Sequence, residues 1–187
     1  MNCKTMLKNA GYKIKYRNLY KIKPSLFESG SKIKLLNSGS ICGGANIRLR
    51  ANTNIVAIGG KIDLGDSVFF NRNCNVVCRE KISIGDNVSF GHNVCVIDHD
   101  HRFGKEGVSP TEYKTGEIVI EKGCWIGSNA VILRNTHIGA CSVIGAGCVV
   151  KGDIPPNSLV TGCRELNIKE IKNGVKNEEK VDGNNKA

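Results

Sequence analysis

From Ile120 onward the chain opens with an aliphatic residue every six positions: IEKGCW, IGSNAV, ILRNTH, IGACSV, IGAGCV, VKGDIP. The openers are Ile120, Ile126, Ile132, Ile138, Ile144 and Val150. Glycine often follows the opener, and a small residue stands four places after it in most blocks. The beat appears earlier too. KIDLGDSV at 61–68 returns as KISIGDNV at 81–88, with Leu64, Phe70 and Val76, then Ile84, Phe90 and Val96, at the same spacing. Residues 30–58 carry a weaker version, with Ile47 and Ile58 as candidate inward positions. A helix would smear these aliphatics around its circumference, because its period is 3.6. A coil with three flat sides of about six residues places every opener inside, so the pattern predicts short strands stacked as a parallel β-helix. Terminal repeats of such arrays are atypical, so 30–58 reads as capping coils. Cys74, Cys124 and Cys148 occupy the small slot and read as small hydrophobes. Glycine after the opener suits a tight turn with positive φ.

The beat stops once. Residues 98–117, DHDHRFGKEGVSPTEYKTGE, carry no six-residue spacing and read as about one coil's length extruded as an irregular loop. His99 and His101 lie at its root, where a rigid scaffold can fix a side chain. An imidazole there can serve as a general base. The string Asp98–His101 can also be read as metal ligands. Successive residues of an extended strand point to opposite sides, and no third or fourth ligand is evident, so no metal is expected.

The stretch CWIGSNAVILRNTHIGACSVIGAGCVVKGDIPPNSLVTG, residues 124–162, resembles the C-terminal coils of hexapeptide-repeat acyltransferases. The most similar groups are the galactoside and maltose O-acetyltransferases and the related polysaccharide O-acetyltransferases. The resemblance covers roughly 60–165. It implies a left-handed parallel β-helix, a homotrimer with active sites between subunits, and acetyl-CoA as donor. It implies a catalytic histidine at the start of the extruded loop, hence His99, with His101 as the alternative. The family's proline after that histidine is replaced by Asp100. Asn71 matches an asparagine placed near the acetyl group. The resemblance assigns Trp125, Gly127, Ser128, Gly145 and Ala146 to the coenzyme channel, and Lys151 and Arg164 to its phosphates. The acidic pair with which galactoside enzymes grip their sugar is replaced by Cys78-Arg79, so Arg79, with Tyr113, is expected to hold an anionic acceptor. The implied activity is acetyl transfer to a sugar hydroxyl in cell-surface polysaccharide assembly. Acetylation of an amino-sugar nucleotide nitrogen, or of a serine or antibiotic hydroxyl, stays open.

Length and charge narrow the picture. The 187 residues suit one domain, 40% of them are hydrophobic, and no apolar run is long enough to span a bilayer. The first residues hold no apolar signal segment, which predicts a cytoplasmic protein. Nine cysteines without a CxxC pair are expected to be reduced thiols. The net charge of +10 favours anionic partners. Residues 1–23 hold seven Lys/Arg and no acid, and Tyr12, Tyr16 and Tyr20 recur at helical spacing. Residues 1–29 are therefore expected to form a basic helical segment, packed on the domain or docked on a membrane or another anionic surface. Residues 30–164 form the β-helix, and 165–187 a C-terminal helix and disordered tail. No nucleic acid is expected. A non-catalytic basic scaffold for an anionic glycan is the reading from outside enzymology.

Overall fold

The computed structural model describes residues 20–22 and 25–162, and every regular element among them is a strand. Three faces repeat in order along the chain. Face one holds β1 (Tyr20–Ile22), β4 (Ser40–Gly43), β7 (Lys61–Leu64), β10 (Lys81–Ile84) and β15 (Ile118–Ile120). Face two holds β2 (Leu26–Phe27), β5 (Arg48–Leu49), β8 (Phe69–Phe70), β11 (Ser89–Phe90), β16 (Trp125–Ile126), β18 (Val143–Ile144) and β20 (Leu159–Val160). Face three holds β3 (Lys32–Leu36), β6 (Asn54–Ile58), β9 (Asn75–Cys78) and β12 (Cys95–Ile97). The longer strands β17 (Val131–Ile138) and β19 (Val149–Ile154) run from face three around a corner into face one. All these pairings are parallel, and Lys61, Ile62, Asp63 and Leu64 pair with Lys81, Ile82, Ser83 and Ile84 in the register that the repeated octet predicts.

The core follows from the beat. All six openers from Ile120 to Val150 are buried, as are Leu64, Phe70, Val76, Ile84, Phe90 and Val96. Each inward aliphatic rests on its counterpart in the next coil, and Phe70 stacks on Phe90 with centroids 4.3 Å apart. Burying one such side chain is worth roughly 1.5–3 kcal/mol, so the column of them supplies the main driving force. The small slot is equally closed: Cys124, Ala130, Thr136, Ser142 and Cys148 are all buried. The cysteines there also bond across coils, Cys124 Sγ to the Gly139 carbonyl at 3.2 Å and Cys74 Sγ to that of Gly91 at 3.1 Å. Burial pushes the Cys74 thiol up to about 11, so it stays protonated.

Four expectations need correction. The solenoid starts before residue 30: Tyr20–Ile22 pairs with β4 and Leu26–Phe27 with β5. The end of the segment expected to be helical is therefore strand. Residues 1–19, and the expected helix and tail over 165–187, lie outside the described residues. Second, Ile58 is only half-buried, whereas Ile55 and Ala57 point inward. Third, the glycines after the openers do not take positive φ. The left-handed conformation falls three places after the opener, at Asn73, Asn93, Gly123, Asn129, Asn135, Cys141 and Gly147. Gly127 is needed instead for space, since a Cβ there would sit 2.6 Å from the Ala146 nitrogen one coil on. Fourth, the extruded segment is not irregular. β13 (His99–Gly104) and β14 (Gly107–Thr115) pair antiparallel as a hairpin.

Candidate active site at the hairpin corner

Each coil turns three corners, and the candidate residues divide between two of them. The corner after face two carries Asn71, Gly127, Ser128, Gly145 and Ala146. Gly127 packs on Ala146, and the Ser128 carbonyl accepts the Gly147 N–H at 2.9 Å, so these residues form one narrow stacked edge. Trp125 precedes it on the outer side of face two and is 56% exposed. The Asn71 amide oxygen accepts the Arg72 N–H at 2.9 Å. These residues make up the glycine corner.

The corner after face three carries Arg79, the hairpin root, Arg134 and Lys151. Lys151 is exposed there, and it does not share an edge with the glycine corner. Arg164 lies outside the described residues. Within one chain, then, His99 is not brought beside Asn71, Trp125 or the small residues.

The hairpin root is organised by Asp98, whose place in the Asp98–His101 string suggests only a metal ligand. Asp98 is fully buried. Its Oδ1 accepts the Arg79 N–H at 2.8 Å, and its Oδ2 accepts the Glu80 N–H at 2.7 Å. Oδ1 also lies 3.0 Å from His99 Nδ1. A carboxylate already accepting two backbone N–H groups can only accept again, so the ring donates from Nδ1. The neutral imidazole is then left with its lone pair on Nε2. Among the described residues Nε2 has no hydrogen-bond partner. The side chain of His99 is 12% exposed, enough to meet a ligand and little enough to stay oriented. The alternation that turns Val94 and Val96 inward continues to position 98. That was the available signal that this aspartate faces in.

Cys78 lies beside the same carboxylate. Burial first, then the negative charge of Asp98, pushes its thiol far above the ordinary cysteine value, so it stays neutral. Asp100, which stands where the resembling family has proline, accepts from Arg134 Nε at 2.6 Å and pins the hairpin to β17. His101 is exposed and its Nδ1 lies 2.9 Å from the Ser109 carbonyl. The Tyr113 ring holds the cluster together. His101 lies 4.5 Å from it, His99 meets it edge-on at 5.5 Å, and the Arg79 guanidinium lies over its face at 3.6 Å. No group of three or more His, Cys, Asp or Glu among the described residues is placed to hold a metal ion.

A three-faced parallel solenoid that extrudes a hairpin at a histidine-bearing corner defines the chain as an acyltransferase of the hexapeptide-repeat class. The family model for the bacterial transferase hexapeptide (six repeats) matches residues 117–152, and the chain belongs to that family. A protein of Escherichia coli K12 named for O-acetyl transfer in lipopolysaccharide biosynthesis is 31% identical over 78% of this chain and 79% of its own. A hexapeptide-repeat acetyltransferase of Vibrio cholerae, solved with acetyl coenzyme A, superposes with a TM-score of 0.56 at 30% identity, over 72% of this chain and 67% of that one. A maltose O-acetyltransferase of Clostridium difficile 630 gives 0.51 at 31%, over 73% and 66%.

Proposed function

We propose that this protein transfers the acetyl group of acetyl-CoA to a hydroxyl of a sugar, in the cytoplasm, during assembly of a cell-surface polysaccharide, with His99 as general base. The observation that carries the reading is the Asp98–His99 pair, which leaves one imidazole nitrogen unbonded and directed by a buried carboxylate. Supporting it are the names of the two O-acetyltransferases above and the bound donor of the Vibrio protein.

The chemistry runs in two steps. His99 Nε2 takes the proton of the acceptor hydroxyl as that oxygen attacks the thioester carbonyl. The negative charge on the carbonyl oxygen needs a hydrogen-bond donor, a role the amide of Asn71 is suited to. The tetrahedral intermediate then expels the thiolate of coenzyme A, and the imidazolium returns its proton to that sulfur. The carboxylate of Asp98 stabilises the imidazolium while it lasts. No cysteine takes part, and the burial of Cys78 fits that.

The donor path argues for a shared site. Asn71, Trp125, Gly127, Ser128, Gly145 and Ala146 lie along the glycine corner, where residues without bulk let a pantetheine arm run close to the backbone. His99 and Lys151 lie on the hairpin corner. Between the two corners, face three turns an apolar row outward: Val77, Ile97 and Leu133 stand in register, and exposed Val149 lies beside them. If three copies turn this face to a common axis, the hairpin corner of each meets the glycine corner of the next. A homotrimer with three sites between chains is the assembly that unites the candidates.

The base is tested by steady-state acetyl transfer to a sugar panel. His99→Ala should lower kcat/KM by about 10²–10⁴-fold, while His101→Ala should stay within about tenfold. Full turnover in His99→Ala would remove the assignment.

A further inference from the structure

We infer that Arg79, stacked on Tyr113, is a subsite for an anionic group on the acceptor, a phosphate or carboxylate close to the hydroxyl that is acetylated. This rests on the acetyl-transfer reading above and adds the acceptor's charge to it.

Among the described residues the Arg79 guanidinium lacks a counter-ion. Arg134 has Asp100 at 2.6 Å, while Lys61 and Lys81 have Asp63 at 2.7 Å and Glu117 at 2.6 Å. Arg79 has no carboxylate within ion-pair distance among the described residues, and its buried Nε has no hydrogen-bond partner there. Asp98 accepts from the backbone of Arg79, not from its side chain. A partly buried cation without a partner is costly, and a fold that keeps one is suited to receiving an anion.

The guanidinium is also held in place. Its carbon lies over the Tyr113 ring, 3.6 Å from the ring centre, and the same ring meets His99 at 5.5 Å. Because both separations share one ring centre, the guanidinium carbon lies no more than 9.1 Å from the imidazole centre. That is a monosaccharide's reach. The phosphates of coenzyme A do not fit so near the base, since the whole pantetheine arm separates them from the thioester. Asp98 ties the parts together: its two oxygens hold the base by Nδ1 and the Arg79–Glu80 backbone by their N–H groups. A stacked planar cation loses little freedom on binding, and its fork matches two oxygens of a phosphate or carboxylate.

The test pairs acceptors that differ in charge: glucose with glucose 1-phosphate, glucose with glucuronate, and methyl glucoside with UDP-glucose. In the wild-type protein the charged member of at least one pair should have a kcat/KM roughly tenfold or more above its neutral partner. Which pair responds separates phosphate from carboxylate. Arg79→Gln should bring that ratio toward one, and inorganic diphosphate should compete with the charged acceptor in the wild type only. A guanidinium that merely braces the hairpin would lower both members of a pair by one factor, and that result overturns the inference. So does a wild-type protein that accepts neutral and charged members equally, whether or not the variant folds. A parallel loss of acetyl-CoA affinity in Arg79→Gln, measured by calorimetry, would assign the residue to the donor and likewise overturn it. In each of these cases sugar acetylation itself stands. If the wild type binds acetyl-CoA but acetylates no member of the panel, both readings fall together.

Discussion

Asp98 shows how much one buried side chain can decide. It terminates the inward row of face three, satisfies two backbone donors at the Arg79–Glu80 turn, and fixes the tautomer of His99. Replacement by alanine strands both donors, at about 1–3 kcal/mol each, and should unfold the hairpin root. Asp98→Asn is the more informative change. Its amide can still accept one bond but can turn its NH₂ to the ring, which moves the ring proton to Nε2 and removes the lone pair on which the proposed base depends. We expect kcat/KM to fall on the order of 10²–10⁴-fold, with a melting temperature only several degrees below the wild type for the one donor left unpaired. Nitrogen NMR of the labelled ring should show the proton on Nδ1 in the wild type and on Nε2 in the variant. A purely structural aspartate would leave the tautomer unchanged. The sequence made His99 visible because it stands where the beat breaks. It left Asp98 in view only as one of two acids in DHDH, because partners nineteen residues back become neighbours only once the coils are stacked.

At the scale of elements, the corners explain what the periodic pattern conceals. Aliphatic openers announce which residues point inward, and all six from Ile120 to Val150 do so. The pattern does not announce which corner residue takes positive φ, because that conformation fell to asparagine more often than to glycine. Nor does it say that Gly127 is required by contact with the next coil. The hairpin was legible as an interruption but not as paired strands, since its alternation is broken by a register shift between His101 and Phe103. Corners also carry charge-assisted bonds between coils. Glu121 Oε1 lies 2.8 Å from His137 Nε2 and its Oε2 accepts the Ala140 N–H at 2.9 Å. His137 therefore has a partner at this corner. The hydrogen bond from His137 first, then that from Ala140, holds the Glu121 carboxyl below its ordinary 4.5. A carboxyl lowered in the folded state stabilises the fold above its unfolded value, and this stabilisation is lost as pH falls through the folded value. The melting temperature of the wild type should thus exceed that of Glu121→Gln at pH 7, and the gap should shrink as pH drops below about 4.5. A gap that stays constant down to pH 3 would show that the carboxylate adds nothing to the corner.

For the whole molecule, the division of the candidate residues between two edges makes a prediction that no single chain can satisfy. Ala146 is exposed on the glycine corner, so Ala146→Trp should fold while blocking the proposed donor path. His99→Ala should fold while lacking the proposed base. Each variant alone is expected to be nearly inactive. If the site lies between copies, a site built from the hairpin corner of an Ala146→Trp chain and the glycine corner of a His99→Ala chain has neither lesion. Random mixing in equal amounts makes about a quarter of all sites of this kind, because cyclic closure pairs the two corners of different chains. Unfolding and refolding the two variants together should therefore restore roughly a quarter of wild-type turnover, and refolding them apart should restore none. The same mixture of Leu133→Glu derivatives, in which a charge enters the apolar row of face three, should run as monomers by light scattering and recover nothing. Complementation without association, or trimers without complementation, would each break the link between the apolar face and the catalytic edge.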